Sequence, residues 1–563
     1  MRSLRPIPAD RTFLQHVVDA GPALSGVLLA ASCLPFDLSV LAWFALVPLA
    51  ITIKSPNMGR AAYGWAYVGG MACHLPWMYW ITSTSGRVDL STGLWATCIG
   101  ASMLGGALLA VTLAVGRRFV AVTKLPMMGA LPMLWVMFEI ARYYIGAIID
   151  QTGFPWLRLG ATQTQWPEFI QIADLGGEYL LSFVVAVVNG FWVDSVFWCR
   201  EFQRRQAVRR MLVATAALVV IAMGIGVYGQ WRLGQSVART GPDVCLMGGI
   251  DLPPLIDRRR LTGSGNECST GSPFRTVSHQ PAGDRFPELL IWPEMAYHHH
   301  VFASADRQPL TNDSVANGTI SQTEFSKQAL GLKYLEETAT ELGVSMLMGC
   351  RRVEPGSNGA EGFNSLVLVN PESGYSGAYD KHCLVPWAEF LPFGMVLVDV
   401  DRSTHYEHGS RSRSLGLRVV ESGQDYRVGC LICYDVCFSD FVLRSAGQGT
   451  ASPDFFVQCG DEPVYSRDLQ RAMFRMTRLR AIENRRAIVR NATNGVSGIV
   501  DGCGRHIVTA PRIVSDPYRV GRVPLDRRFS LYARWGDWLP WVCACGVAIG
   551  LIRVRRRTRT HQG

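Results

Sequence analysis

Charge is what this chain has little of. Of its 563 residues only 18% are Asp, Glu, Lys or Arg, while 48% are hydrophobic, and the mean hydropathy is +0.14. Ordinary soluble domains carry about a quarter charged residues. That class is therefore excluded, and the length excludes a single domain. An even cysteine set is also missing from the polar block between 231 and 533. It holds nine of the fifteen cysteines: Cys245, Cys268, Cys350, Cys383, Cys430, Cys433, Cys437, Cys459 and Cys503. Nine thiols cannot all pair within one domain, so at least one stays free or bonds another molecule. A basic folded face is lacking too. The net charge of +10 comes from arginines clustered beside apolar stretches, which removes a nucleic-acid reading.

What is present is a series of apolar segments, near 15–34, 38–54, 62–82, 92–115, 119–141, 178–198, 211–230 and 536–552. Several sit near the minimum of about 17 to 20 residues for crossing a bilayer, and the second is the shortest. The flanking charges alternate. Arg2, Arg5 and Arg11 precede the first segment, Lys54 and Arg60 follow the second, and Arg117, Arg118 and Lys124 follow the fourth. Arg200, Arg204, Arg205, Arg209 and Arg210 follow the sixth, and Arg553, Arg555, Arg556, Arg557 and Arg559 follow the eighth. Every second connection is basic, which predicts eight spans with both ends in the cytoplasm. Residues 1–230 are thus expected to form a membrane domain of seven helices, 231–533 an outer-face α/β domain, and 534–563 a final span with a basic tail.

Within the polar block three residues carry chemistry. Glu294 follows the apolar run LLIW and Pro293, Lys381 lies in YDKHCLVPWAEF, and Cys433 ends the run VGCLIC. A thiol must lose its proton before attacking a carbonyl, and a desolvated carboxylate can take it. A fixed ammonium then stabilises the oxyanion. Singly, each has a plain reading: a solvated loop Glu, a surface Lys, a small core Cys. Their setting at the ends of short buried strands, where sites of layered α/β folds gather, favours the chemical reading.

These segments resemble the nitrilase, or carbon-nitrogen hydrolase, superfamily, whose Glu-Lys-Cys triad sits on an α-β-β-α sandwich. The run KxxLVPxxEFxPF from Lys381 to Phe393 is similar to the superfamily's membrane-bound branch, the bacterial apolipoprotein N-acyltransferases. By that resemblance Glu389 is a second glutamate supporting the lysine, and Tyr434 and Asp435 match a Tyr-Glu pair, with Asp in place of Glu. GWAYVGGMACHLPWMYWI, WVMFEIARYY with Trp135, Glu139 and Arg142, and TGFPW from Thr152 to Trp156 match as well. Arginines before an apolar stretch ending LAASC at Cys33 also fit a cleaved signal. The following CLPFDLSVLAWFALVPLAI resembles the start of the branch's membrane domain and favours a retained span.

Other segments keep two readings. Glu139 and Arg142, three apart, share one helix face and either meet protein, water or headgroups within the bilayer or snorkel at its interface. TGFPW reads as an interfacial element, with Phe154 and Trp156 at headgroup depth. Cys430, Cys433 and Cys437 suggest a metal, but positions three apart on a strand face opposite ways. His298, His299 and His300 read as a polar loop near the site entrance, with a metal tract as the alternative. FFVQCGDEPVYS reads as strand then loop. After it comes a helix in which Arg478, Arg480 and Glu483 serve the scaffold, then a tight turn at Asn494-Gly495. Two departures stand out: the family's Ser-Asn-Asp-x-Trp-Phe-Gly loop is Gln458-Cys459-Gly460-Asp461-Glu462 here. A family tryptophan also has no counterpart near DLPPLIDRRR, where the Gly/Ser-rich LTGSGNECSTGS is inserted.

The resemblance implies a two-step acyl transfer: a phospholipid acylates Cys433, and the N-terminal diacylglyceryl-cysteine of an apolipoprotein accepts the chain. It implies a monomer in the bacterial inner membrane, its catalytic domain periplasmic, in contact with membrane lipid and with no cofactor, metal or nucleic acid. The alternatives are a membrane-tethered amidase or nitrilase using water, and a weakly active membrane scaffold.

Overall fold

The computed structural model describes residues 11–33, 36–83, 91–150, 153–237, 239–247, 287–302, 322–356, 359–385, 389, 414–419, 424–447, 452–462, 467–493, 495–510 and 518–560. The chain divides into a helical unit, Met1–Trp231 with Asp537–Gly563, and a mixed unit, Arg232–Gly536.

The helical unit comprises α1 (Arg11–Ser32), α2 (Val47–Lys54), α3 (Ala61–Ser83), α4 (Ser91–Thr123), α5 (Met127–Asp150), α6 (Pro167–Ile170), α7 (Ala173–Glu201) and α8 (Arg204–Gly234), which reaches past the division. After the mixed unit comes its last helix, Trp538–Thr560. Among the described residues three stretches are long and apolar enough to cross a membrane: Cys98–Thr123, Ala173–Glu201 and Arg204–Gly234. The expected second span is not one helix. A 3-10 turn, Ser39–Trp43, precedes α2, which starts with Pro48 in its first turn and runs eight residues. Eight residues rise only about 12 Å.

Helices also outrun their apolar stretches, because backbone hydrogen bonding does not stop where hydrophobicity does. Arg117 and Arg118 therefore lie on α4, not in a connection, and the break comes at Lys124 (φ +56°) before Pro126. Likewise Arg200 closes α7, and Arg204, Arg205, Arg209 and Arg210 lie on α8.

The segment after α5 is extended, and it is buried within the unit from Pro155 onward. Trp156 is 2% exposed, and Arg142 donates to its carbonyl at 2.7 Å while lying over the Phe138 and Phe154 rings. Glu139 accepts from the Trp135 indole, the Ser182 hydroxyl and the Leu159 amide. Non-helical backbone in an apolar unit has to find its hydrogen bonds inside the protein, and Glu139 and Arg142 provide them. The snorkelling reading of this pair is thereby excluded. Thr152 lies outside the described residues.

In the mixed unit the strands are β1 (Arg239–Met247), β2 (Leu289–Ile291), β3 (Tyr297–Phe302), β4 (Ser345–Gly356), β5 (Gly359–Asn370), β6 (Gly374–Asp380), β7 (Ser414–Val419), β8 (Gln424–Ile432), β9 (Phe455–Asp461), β10 (Ile488–Thr493), β11 (Ser497–Val500), β12 (His506–Ala510) and β13 (Tyr518–Leu525). One sheet runs β13-β1-β2-β4-β5-β6 with β3 also on β4, and the other runs β12-β11-β10-β9-β8-β7. The helices are α9 (Gln322–Leu342), α10 (Ser439–Ala446), α11 (Arg467–Asn484) and α12 (Leu531–Trp535); Trp538–Thr560 is then α13.

Helix α9 packs on the first sheet through Leu335, Ala339 and Leu342 against Met346, Met348 and Val367. Helix α11 packs against β11 and the turn after β8, and α10 against β8. The sheets are stitched together by Asn491 on β10, whose amide donates to the carbonyls of Met247 and Ile291. This is the expected carbon-nitrogen hydrolase layering, helix on sheet on sheet on helix. Central strands β1, β2 and β4 are parallel, as are β8, β9 and β10. Crevices for ligands lie beyond the carboxyl ends of such strands.

Two further expectations change. His298, His299 and His300 lie within β3, in the irregularity between Tyr297 and Val301, which pair with β4, and not in a loop. All fourteen cysteines of the described residues are free. Cys268, Asn494, the segment DLPPLIDRRR and the insertion at 261–272 lie outside the described residues.

Candidate active site

Four strand ends converge on one buried cluster. Glu294 follows β2 by three residues, Lys381 directly follows β6, Cys433 directly follows β8, and Asp461 ends β9. Glu294, Lys381 and Cys433 are 6%, 2% and 2% exposed.

The Pro293–Met295 turn needs a glycine across from it. A Cβ on Gly349 of β4 would stand 2.8 Å from both Glu294 Cα and Met295 N. Met295 itself adopts φ +55°. Glu294 Oε1 accepts from Lys381 Nζ at 3.0 Å and Asn364 Nδ2 at 2.7 Å, while Oε2 accepts from the Asp461 amide at 2.8 Å.

Lys381 is held at both ends. Its amide donates to the Asn364 carbonyl at 2.8 Å, and its ammonium also donates to Glu389 Oε1 at 2.9 Å. Glu389 Oε1 takes a second bond from Asn364 at 3.1 Å, and Oε2 accepts the Val385 amide at 2.8 Å. One ammonium thus stands between two carboxylates, with Asn364 bridging the same pair. An ion buried this deeply persists only when it is paired and hydrogen-bonded, and Lys381 donates to both carboxylates.

Cys433 does not end its strand. Sheet pairing stops at Ile432, and Cys433 opens a 3-10 turn to Cys437 at φ +45°. For a residue with a Cβ this left-handed conformation costs about 1–2 kcal/mol. The turn is braced by Asp435, fully buried, which accepts from the Ile432 amide at 2.9 Å, the Cys383 amide at 2.8 Å and the Tyr379 hydroxyl at 2.6 Å. Asp435 therefore ties the Cys433 turn to both sides of Lys381. Tyr434, 7% exposed, packs edge-on against Phe438.

Burial pushes the Cys433 thiol well above its ordinary range; the Glu294 carboxylate pushes it further, and the Lys381 ammonium pulls it back. Cys433 thus favours the protonated thiol, with a carboxylate and a cation acting on it in opposite senses. Such a set is suited to acyl transfer through a covalent thioester.

The segment that departs from the family pattern grips this cluster. Gln458 Nε2 lies 3.5 Å from the Cys433 carbonyl, and Cys459 Sγ donates to the Trp292 carbonyl at 3.2 Å. Asn364, Tyr379 and the Asp461 amide escaped sequence reasoning. For Asn364 a signal existed, a polar pair, Asn364-Ser365, inside the apolar strand run GFNSLVLVN. For the Asp461 amide there is none, since any residue supplies an N–H. Among the described residues no group of three or more metal-ligating side chains converges.

Residues 25–191 match the family model described as the apolipoprotein N-acyltransferase N-terminal domain, and residues 281–515 match that described as carbon-nitrogen hydrolase. The apolipoprotein N-acyltransferase of Geobacter metallireducens is 27% identical over 548 residues, covering 96% of each chain. That of Methylococcus capsulatus is 25% identical over 549 residues, again covering 96% of each. A CN-hydrolase superfamily protein of known structure from Xanthomonas campestris is 16% identical, with a TM-score of 0.31, covering 51% of this chain and 91% of that one. With a model matching in each unit and likeness running nearly end to end, the chain is similar along almost its whole length to the apolipoprotein N-acyltransferases, and in its mixed unit to the carbon-nitrogen hydrolases.

Proposed function

We infer that this protein is an apolipoprotein N-acyltransferase that works through an acyl-thioester on Cys433. The observation that carries the reading is the buried Lys381 ammonium, 3.0 Å from Glu294 and 2.9 Å from Glu389, in the electrostatic field of the Cys433 thiol.

Among the described residues Glu294 Oε1 takes two donors and Oε2 one, so Oε2 has the spare lone pair and serves as the proton acceptor. It takes the thiol proton, and the thiolate attacks an ester carbonyl of a phospholipid. Lys381 stabilises the resulting oxyanion. Collapse breaks the ester bond, and the leaving alkoxide takes the proton back from Glu294 as lysophospholipid. The free amine of a diacylglyceryl-cysteine at the acceptor's N-terminus then attacks the thioester. Its proton passes through Glu294 to the departing thiolate, which restores Cys433 and leaves an amide.

Glu389 serves as an anchor of Lys381, and Asp435 with Tyr434 as supports of the Cys433 turn. The protein is membrane-bound, which suits two lipid-anchored substrates. Eight crossings, the second through Ser39–Lys54, with both ends in the cytoplasm and residues 231–533 in the periplasm of the inner membrane, are supported by the alternating arginine clusters. One chain holds the whole catalytic set, in keeping with a monomer. The test is mass spectrometry of the Cys433 peptide after incubation with phospholipid. An acyl adduct that disappears on adding a diacylglyceryl-cysteine peptide is expected. A folded protein with no adduct overturns the reading. Impermeant thiol labelling of single cysteines placed at 265 and 560 tests the topology, with only the first expected to react from outside.

A further inference from the structure

Directly after β9 stands a carboxylate that the mechanism does not use. Glu462 is fully buried, and one of its oxygens pairs with the Arg490 guanidinium on β10. Its amide donates to the Thr493 carbonyl at 3.2 Å, and its own carbonyl accepts from Gln470 at 2.9 Å. Arg490 Nε in turn donates to the Val496 carbonyl at 2.8 Å. Glycine closes the remaining side: a Cβ at Gly495 would collide with Glu462 Oε2, and one at Gly460 would lie 3.4 Å from Oε1. The residue just before it, Asp461, gives its amide to Glu294 Oε2 at 2.8 Å.

We propose that Glu462, locked by Arg490, is a positioning residue of the acyl-transfer site, fixing the Asp461 amide on Glu294 Oε2. The proposal rests on the catalytic reading given above. A buried ion pair contributes little net stability compared with an apolar pair of the same volume, so its consequence is sought in geometry and field. Facing Cys433 are Glu294 after β2, Lys381 after β6, Glu389 beyond it and Glu462 after β9, and of these only Lys381 favours the thiolate. Asp435, on the same turn as Cys433, is engaged by Tyr379 and two amides. Around Glu462 stand Arg490, Glu294 and Asp461; burial pushes its carboxyl up and Arg490 pulls it down.

The experiment uses the full chain in detergent micelles. Iodoacetamide alkylation of Cys433 is followed against pH on its own peptide, alongside acyl-enzyme formation from dioleoyl phosphatidylglycerol. Glu462→Gln is expected to lower the alkylation midpoint by about half a pH unit or more. It also lowers kcat about tenfold while KM changes less than twofold. Glu462→Asp keeps the charge and holds the midpoint near the parent value. If Glu462→Gln fails to fold, Glu462→Gln combined with Arg490→Met leaves no unpaired buried charge and is read by kcat and KM, with the same tenfold fall in kcat expected. A folded Glu462→Gln with an unmoved midpoint and parental kcat, or a folded double variant with parental kcat, overturns the proposal. Alkylation needs no phospholipid, so a parent protein that alkylates but never acylates counts against the proposed function, whereas a parent that acylates beside a Glu462→Gln variant with parental midpoint and kcat counts against this inference alone.

Discussion

The Tyr379 hydroxyl donates a 2.6 Å hydrogen bond to Asp435 Oδ2, joining the strand that leads into Lys381 to the turn that begins at Cys433. Both partners are fully buried. Tyr379→Phe removes one donor from a buried carboxylate and is expected to cost about 1–3 kcal/mol. Thermal unfolding of the purified chain measures this. Asp435→Ala should cost more, because it also strands the Ile432 and Cys383 amides.

The protonation of Cys433 is set by charges whose signs can be tested. A thiolate is negative, so anionic neighbours raise its pKa and cationic ones lower it. Alkylation of Cys433 is accordingly expected to have its midpoint above the ordinary thiol value of about 8.5. Lys381→Met should move that midpoint up and Glu294→Gln should move it down. The two readouts then separate: Glu294→Gln makes alkylation easier, yet abolishes acylation from phospholipid at neutral pH because the base is gone.

Asn364 gives both amide protons to carboxylates, one on each side of Lys381. Asn364→Ala is expected to slow acyl-enzyme formation by about 10- to 100-fold, a loss typical of groups that orient a catalytic residue. Asn364→Asp should be slower still, since it brings a third carboxylate into contact with two others. Rates equal to the parent's in both variants contradict this role.

In the helical unit Arg158 pairs with Glu178 at 3.1 Å, both essentially without solvent contact, and the guanidinium lies 4.6 Å from the Tyr179 ring centre. Arg158→Met leaves a buried carboxylate without this partner and is expected to destabilise by about 3–5 kcal/mol. Arg158→Met combined with Glu178→Leu should recover most of that. Unfolding of both variants in the same detergent decides it.

Short, strongly patterned segments were legible in advance. LLIW before Pro293 gave a buried strand, and the Leu289–Ile291 core of that run pairs on both sides. Less legible were places where hydrogen bonding overrides hydropathy. TGFPW has the composition of an interfacial segment, but Glu139, Arg142 and Ser182 satisfy backbone along Trp156–Gly160 and let it bury. The three histidines after Tyr297 look like a solvated loop, whereas their neighbours Tyr297, Val301 and Phe302 pair with β4 and carry them into a strand.

Sequence alone determined the chemical inventory: an apolar helical part, a polar α/β block, and a glutamate, a lysine and a cysteine at the ends of apolar runs. These follow from local composition, which a linear chain displays. Only the tertiary structure decided how the donors divide between the two Glu294 oxygens, that Asn364 bridges Glu294 and Glu389, and that Tyr379 reaches Asp435 across 56 residues. Those relations depend on the register between two stacked sheets, where one residue of slip turns every side chain to the opposite face. No local pattern encodes that register.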